Sequence, residues 1–94
     1  MRLTDIVWKE RFVEKLAVKH QVSTYEAEQV LFGKPFIVKV AKGHVQGEDV
    51  YQTFGQTHTG RYLIVVFVKK GIAAIPISAR DMTRAERSYY EKHK

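Results

Sequence analysis

The sequence predicts an α+β fold: two N-terminal helices, an antiparallel β-sheet of about four strands, and a C-terminal helix. Three observations point to it. Apolar residues recur at helical spacing over the first third of the 94-residue chain. From Phe36 the repeat changes to two, the period of a pleated strand. Finally, Ser23-Thr24-Tyr25-Glu26 and Thr83-Arg84-Ala85-Glu86 both match the capping box, in which a hydroxyl and a glutamate satisfy the free amides at a helix start.

Residues 5 to 8 allow a short opening strand. A helix is expected over residues 9 to 19, with Phe12, Val13, Leu16 and Ala17 inward and Lys9, Arg11, Glu14 and Lys15 outward. Trp8 lies four residues before Phe12 and reads as a core anchor. The second helix starts at the Ser23 box and buries Ala27, Val30 and Leu31. It stops after Phe32, where Gly33 is expected to supply a left-handed stop and Pro35 prevents continuation. Strands follow from Phe36, over Val50 to Phe54, over Arg61 to Val68 and over Ile72 to Ile77. A polar loop holding His44 is expected between Gly43 and Gly47, and a turn with His58 near its tip between Gly55 and Gly60. The Arg61–Val68 segment is apolar on both faces, which marks a central strand covered on both sides. A tight turn is expected at Lys69-Lys70-Gly71. Pro76 has no amide to donate, so its strand is an edge there or carries a bulge. The last helix starts at Arg84.

Length and composition mark one domain spanning residues 1–94, globular rather than disordered, with 45% hydrophobic and 28% charged residues. The longest apolar run, Tyr62 to Val68, is seven residues, far short of a membrane span. No signal peptide is read at the N-terminus, and a cytoplasmic location is expected. There are no cysteines, which excludes disulfides and thiol chemistry. The four histidines, His20, His44, His58 and His93, have no zinc-type spacing, and no glycine-rich phosphate loop is present. No metal and no cofactor is expected. The net charge of +6 favours an anionic partner such as nucleic acid.

Cations and proton-transfer groups remain as candidates. Arg61 opens the central strand and Arg80 closes the last one, so hairpin pairing brings position 61 opposite 79 or 80 and gathers two arginines. A guanidinium fork grips phosphate with two hydrogen bonds at once. The competing reading is that one or both make salt bridges to Asp49, Asp81 or Glu86. Arg84 and Arg87, three apart, share a helix face. Tyr51 offers a hydroxyl at the sheet surface, with a half-buried packing role as the alternative. Tyr89 and Tyr90 suit base stacking, and one of them is needed to hold the last helix to the sheet. Lys19 and His20 sit in an exposed connection.

The chain resembles the BrnT family of bacterial type II toxins. The resemblance rests on Trp8, on Lys19-His20 followed by Val22-Ser23, Glu26-Ala27 and Val30 to Phe32, on Arg61 to Phe67, and on Ile77 to Arg80 with Thr83-Arg84, Glu86-Arg87 and Tyr89 or Tyr90. It departs at Lys9, where the family has an acidic residue, at Gln21, where it has glycine, and at Glu48-Asp49-Val50-Tyr51, which lacks the family's arginine. The resemblance implies a RelE-like fold and an endoribonuclease that cuts RNA and inhibits translation, arresting growth. It also implies a cognate DNA-binding, BrnA-like antitoxin that forms a hetero-oligomer with it, and no membrane partner. On this reading Arg61, Arg80, Lys19 and His20 are catalytic candidates, and Arg84, Arg87, Tyr51 and Tyr90 are RNA-binding candidates. The alternative is a non-catalytic RNA- or protein-binding module on the same scaffold, a degenerate toxin.

Overall fold

The computed structural model describes residues 4–41 and 48–94. The order is β1 (Asp5–Ile6), α1 (Glu10–His20), α2 (Thr24–Phe32), β2 (Phe36–Ala41), β3 (Val50–Gln56), β4 (Tyr62–Lys70), β5 (Ala73–Asp81) and α3 (Arg84–His93). The strands form one sheet in the order β1-β5-β4-β3-β2. β2 to β5 make an antiparallel meander, and β1 adds a parallel fifth strand beside Ala73 and Ala74. The sheet is therefore mixed and five-stranded rather than purely antiparallel. The short opening strand allowed within residues 5 to 8 forms, over Asp5–Ile6. The polar loop expected around His44 lies outside the described residues.

β4 is the central strand, and its double apolar face has the expected cause. Leu63, Val65 and Phe67 pack with Leu16, Val22, Ala27 and Val30 of the α1–α2 side. Ile64 points the other way and packs with Phe54, Met82 and Tyr90. All four of these β4 residues are fully buried. Alternation along one strand thus serves two cores, with the helix pair on one face and α3 on the other.

Both capping boxes form: Ser23 Oγ accepts from the Glu26 amide and Thr83 Oγ1 from the Glu86 amide. Gly55 lets α2 lie close on β3, since a Cβ there would meet Val30 Cγ1 at 2.8 Å. In the β4–β5 hairpin Lys70 pairs with Ala73, so the turn residues are Gly71 and Ile72, with Gly71 at φ +63°. A bulge then separates the Val66–Ser78 pair from the Phe67–Pro76 pair. The proline sits where the ladder is already interrupted, one of the two places open to it. Together the displaced turn and the bulge shift the register: Arg80 faces Ile64 and Asp81 faces Leu63.

Candidate functional site

The shift decides what happens at the end of the sheet where β4 begins and β5 ends. Asp81 shares the face of Leu63, toward the helix pair, and Arg80 shares the face of Ile64, toward α3. Arg61 lies just before β4, its amide held by Thr57 Oγ1 at 3.0 Å and its carbonyl accepting from the Thr57 amide. Its side chain reaches across to the α1–α2 connection.

There its donors are fully engaged. Nε and Nη2 donate to Asp81 Oδ1 at 2.8 Å and Oδ2 at 3.1 Å, a bidentate pair. Nη1 donates to the Gln21 carbonyl at 2.8 Å and to Glu26 Oε2 at 3.1 Å. The second Nη2 hydrogen goes to the His20 carbonyl at 3.1 Å. A guanidinium has five N–H donors, so none remains for a further acceptor in this arrangement. Arg61 thus caps the free carbonyls at the C-terminus of α1 while binding two carboxylates. Those carboxylates hold its proton more firmly than usual, and in return lower Asp81. Glu26 is lowered first by the Ser23 amide and then by Arg61. The helix ends here because Gln21 adopts the left-handed conformation, φ 54°.

Arg80 is held differently. Nη1 donates to Glu86 Oε1 at 2.7 Å and to the Asp81 carbonyl at 3.2 Å, and Nη2 to Glu86 Oε2 at 2.8 Å. Its Nε–H and one Nη2–H have no partner among the described residues, and its side chain is 39% exposed. Glu86 is pulled down to about 2, chiefly by Arg80 and further by the Thr83 amide. The two arginines therefore meet at one residue, Arg61 on the Asp81 carboxylate and Arg80 on its carbonyl. They do so from opposite faces of the sheet, each bound to the glutamate of a capping box. Both readings of the arginine pair are thus realised in part: they converge, and both are in ion pairs. The sequence named Asp81 and Glu86 as partners but missed Glu26. Its signal was present, since a capping-box glutamate at a helix start beside a strand end is an anion with a fixed position.

Lys19 is exposed in the last turn of α1, beside half-buried His20. On α3, Arg84 and Arg87 line an open groove of about 560 Å³ with Met82, Ser88, Glu91 and Lys92. The Arg87 guanidinium lies over the Tyr62 ring at 4.1 Å, and the Tyr62 hydroxyl donates to Glu91. Tyr90 needs correction as an RNA-binding candidate. Tyr90 is 5% exposed and packs in the α3-side core, edge-on to Tyr62, so it is the residue that fastens α3 to the sheet. Tyr51 is half-buried and stacks on Phe67 at 5.5 Å, far from Asp81 along β3. The exposed aromatic of the pair is Tyr89, which lies against Phe36, Phe54 and His93.

A mixed sheet between a helix pair and a closing helix, with arginines anchored at one sheet end and a cationic helix face beside them, defines a small basic α+β protein suited to polyanions. The comparisons give the family. The chain belongs to the BrnT family, described as the ribonuclease toxin BrnT of type II toxin–antitoxin systems, whose model matches residues 8–86. Among solved structures it is similar to the Brucella abortus ribonuclease toxin BrnT at 20% identity, covering 86% of this chain and all of that one, with a TM-score of 0.59. At that identity the likeness concerns the fold. No curated protein matches the sequence. No helix among the described residues is long and apolar enough to cross a membrane.

Proposed function

We propose that the chain acts as a single RelE-like toxin domain, a metal-independent endoribonuclease that cuts RNA in the cytoplasm, blocks translation and arrests growth until a BrnA-like, DNA-binding antitoxin assembles with it. The observation that carries this reading is the convergence of Arg61 and Arg80 on Asp81, with the His20 carbonyl bonded to Arg61, in a chain of the BrnT family. Cleavage runs by attack of a ribose 2′-oxygen on its own phosphorus. That bond forms as the bond to the 5′-oxygen breaks. The 2′-hydroxyl loses a proton to a base and the leaving oxygen gains one.

The roles divide by what each group has free. Arg80, exposed and with two open donors, binds the phosphate and offsets its growing charge. Lys19 adds a second cation. His20 is the proton-transfer group, because the carboxylates nearby are held ionised and are weak bases. Arg61 is a positioning residue: it fixes the carbonyls of His20 and Gln21 and so the end of the helix that presents both side chains. Arg84 and Arg87 bind the RNA backbone beyond the cut.

The test is cleavage of a defined RNA in the presence of a chelator, with the product ends analysed. A 2′,3′-cyclic phosphate is expected. His20→Ala should remove cleavage while leaving thermal unfolding close to wild type, and Arg80→Ala should remove it with a modest loss of stability, because it leaves Glu86 without its ion pair. RNA binding without product would instead support a non-catalytic binding module, a reading favoured by the complete engagement of Arg61.

A further inference from the structure

On the outer side of α2 lies a cleft of about 330 Å³ lined by Tyr25, Glu28, Gln29, Phe32, Gly33 and His58. Two of its walls are aromatic rings left in solvent, Tyr25 at 66% and Phe32 at 53% exposure. They are seven residues apart, two turns of helix and roughly 10 Å along its axis. Glu28 lies between them. Its Oε2 accepts from Trp8 Nε1 at 3.3 Å, which orients the carboxylate, while Oε1 has no partner among the described residues. The opposite rim is the β3–β4 turn, tied down by the His58 amide donating to Gln29 Oε1 at 2.8 Å.

We infer that this cleft is a base-binding subsite that takes an unpaired purine, guanine by preference, from an RNA strand. The chemistry is complementary. Exposed rings give a base a stacking surface that water solvates poorly. A fixed carboxylate accepts two parallel N–H groups, and guanine alone among the common bases presents two, N1–H and N2–H, side by side on its Watson–Crick edge. A negative charge at that point repels phosphate, so the strand enters base first. The neighbours agree: Tyr25 precedes Glu26 and His58 follows Thr57, and both Glu26 and Thr57 hold Arg61. The cleft thus borders, one residue along the chain on each side, the groups that hold Arg61. This deepens the ribonuclease reading and rests on it.

The experiment uses the full chain and short 2′-O-methyl RNA, which binds but lacks the attacking hydroxyl. Affinity is measured for an oligonucleotide with one guanine in an adenine context, and for the same strand with inosine, which lacks N2–H, or adenine. Wild type should prefer guanine over inosine. Tyr25→Ala and Phe32→Ala should each weaken binding about ten-fold, and Tyr25→Phe should keep it. Glu28→Gln should retain general affinity and lose the guanine preference. Thermal unfolding of each variant separates lost binding from lost fold. Equal affinity for all three strands, or unchanged binding by Tyr25→Ala and Phe32→Ala, overturns the proposal. So does unchanged RNA binding alongside loss of complex formation with the adjacent-gene protein, which would make the cleft a protein-docking patch. Wild-type cleavage is measured in parallel. If wild type cleaves RNA but the cleft variants bind normally, only the subsite fails; if wild type neither cleaves nor binds, the ribonuclease reading fails with it.

Discussion

Arg61 shows how much one side chain can be asked to do. Its five donors join α1, α2 and β5. Arg61→Lys keeps the charge but has neither the planar fork nor enough donors. Losing several charge-assisted bonds while leaving carbonyls and carboxylates unmet should cost roughly 2–3 kcal/mol. In a domain of this size that is a fall in melting temperature on the order of 10 °C, readable by circular dichroism. Arg61→Lys should therefore lose activity through stability as well as chemistry, whereas Arg80→Ala should lose activity with a smaller loss of stability, since it breaks one half-exposed ion pair. Gln21 invites the opposite experiment. Its left-handed φ of 54° is unfavourable for a side chain with a Cβ. Gln21→Gly should raise stability by about 1 kcal/mol, with the Arg61 bond to its backbone carbonyl intact. The departure from the family glycine was visible in the sequence, but the conformation that gives it meaning was not.

Among the elements, α2 depends on a glycine in the strand beneath it. Gly55→Ala drives a methyl into Val30, so α2 must lift or Val30 must turn, at about 1–3 kcal/mol; denaturant unfolding measures the loss. The helices and the identity of the central strand were legible because each rests on local pattern: two capping boxes, a stop at Gly33-Lys34-Pro35, and a strand apolar on both faces. The stop itself differs from expectation: Gly33 has φ −78° and ends α2 without entering the left-handed region. The register was not. The expected pairing placed the turn one step early and counted no bulge, and two small offsets change which face a side chain occupies. That is why Arg61 and Arg80 converge on Asp81 from two faces rather than lying side by side. Pro76 announced a bulge without saying how many residues it absorbs. Tyr90 was similarly out of reach: the need for one tyrosine to fasten α3 was clear, but choosing between neighbours requires the helix's rotation on the sheet.

For the whole molecule, charge sets two dependences. The carboxylates of Glu26, Asp81 and Glu86 all sit below their ordinary values in the fold, with Glu86 at about 2 against an ordinary 4.5. Their ion pairs are fully stabilising above about 4.5, where these groups are ionised even in the unfolded chain. Below that the unfolded chain takes up protons first, so stability falls as the pH drops toward 2. Acid titration of unfolding should show this loss, and Glu86→Gln should make it shallower. In the other direction, the net charge of +6 should make the proposed RNA affinity fall with salt. Arg84→Ala or Arg87→Ala should lower the slope of log K against log salt by about one each.

The junction at Arg61 has a consequence for how the molecule breathes. The last turn of a surface helix ordinarily frays, and its amides exchange with deuterium through brief local opening. Here the terminal carbonyls of α1 are tied to the end of β5, so releasing that turn means breaking the link between helix pair and sheet. Amides near Leu16 and His20 should therefore exchange only when the whole structure opens. α3 is held by the small core around Tyr90, by Tyr89 against Phe36 and Phe54, and by the Arg80–Glu86 pair, with no carbonyl tied across as in α1 among the described residues, so it should detach as a separate and less stable unit. Mass-resolved exchange would then show two kinetic classes divided by the sheet, with the slower class on the side where His20 lies.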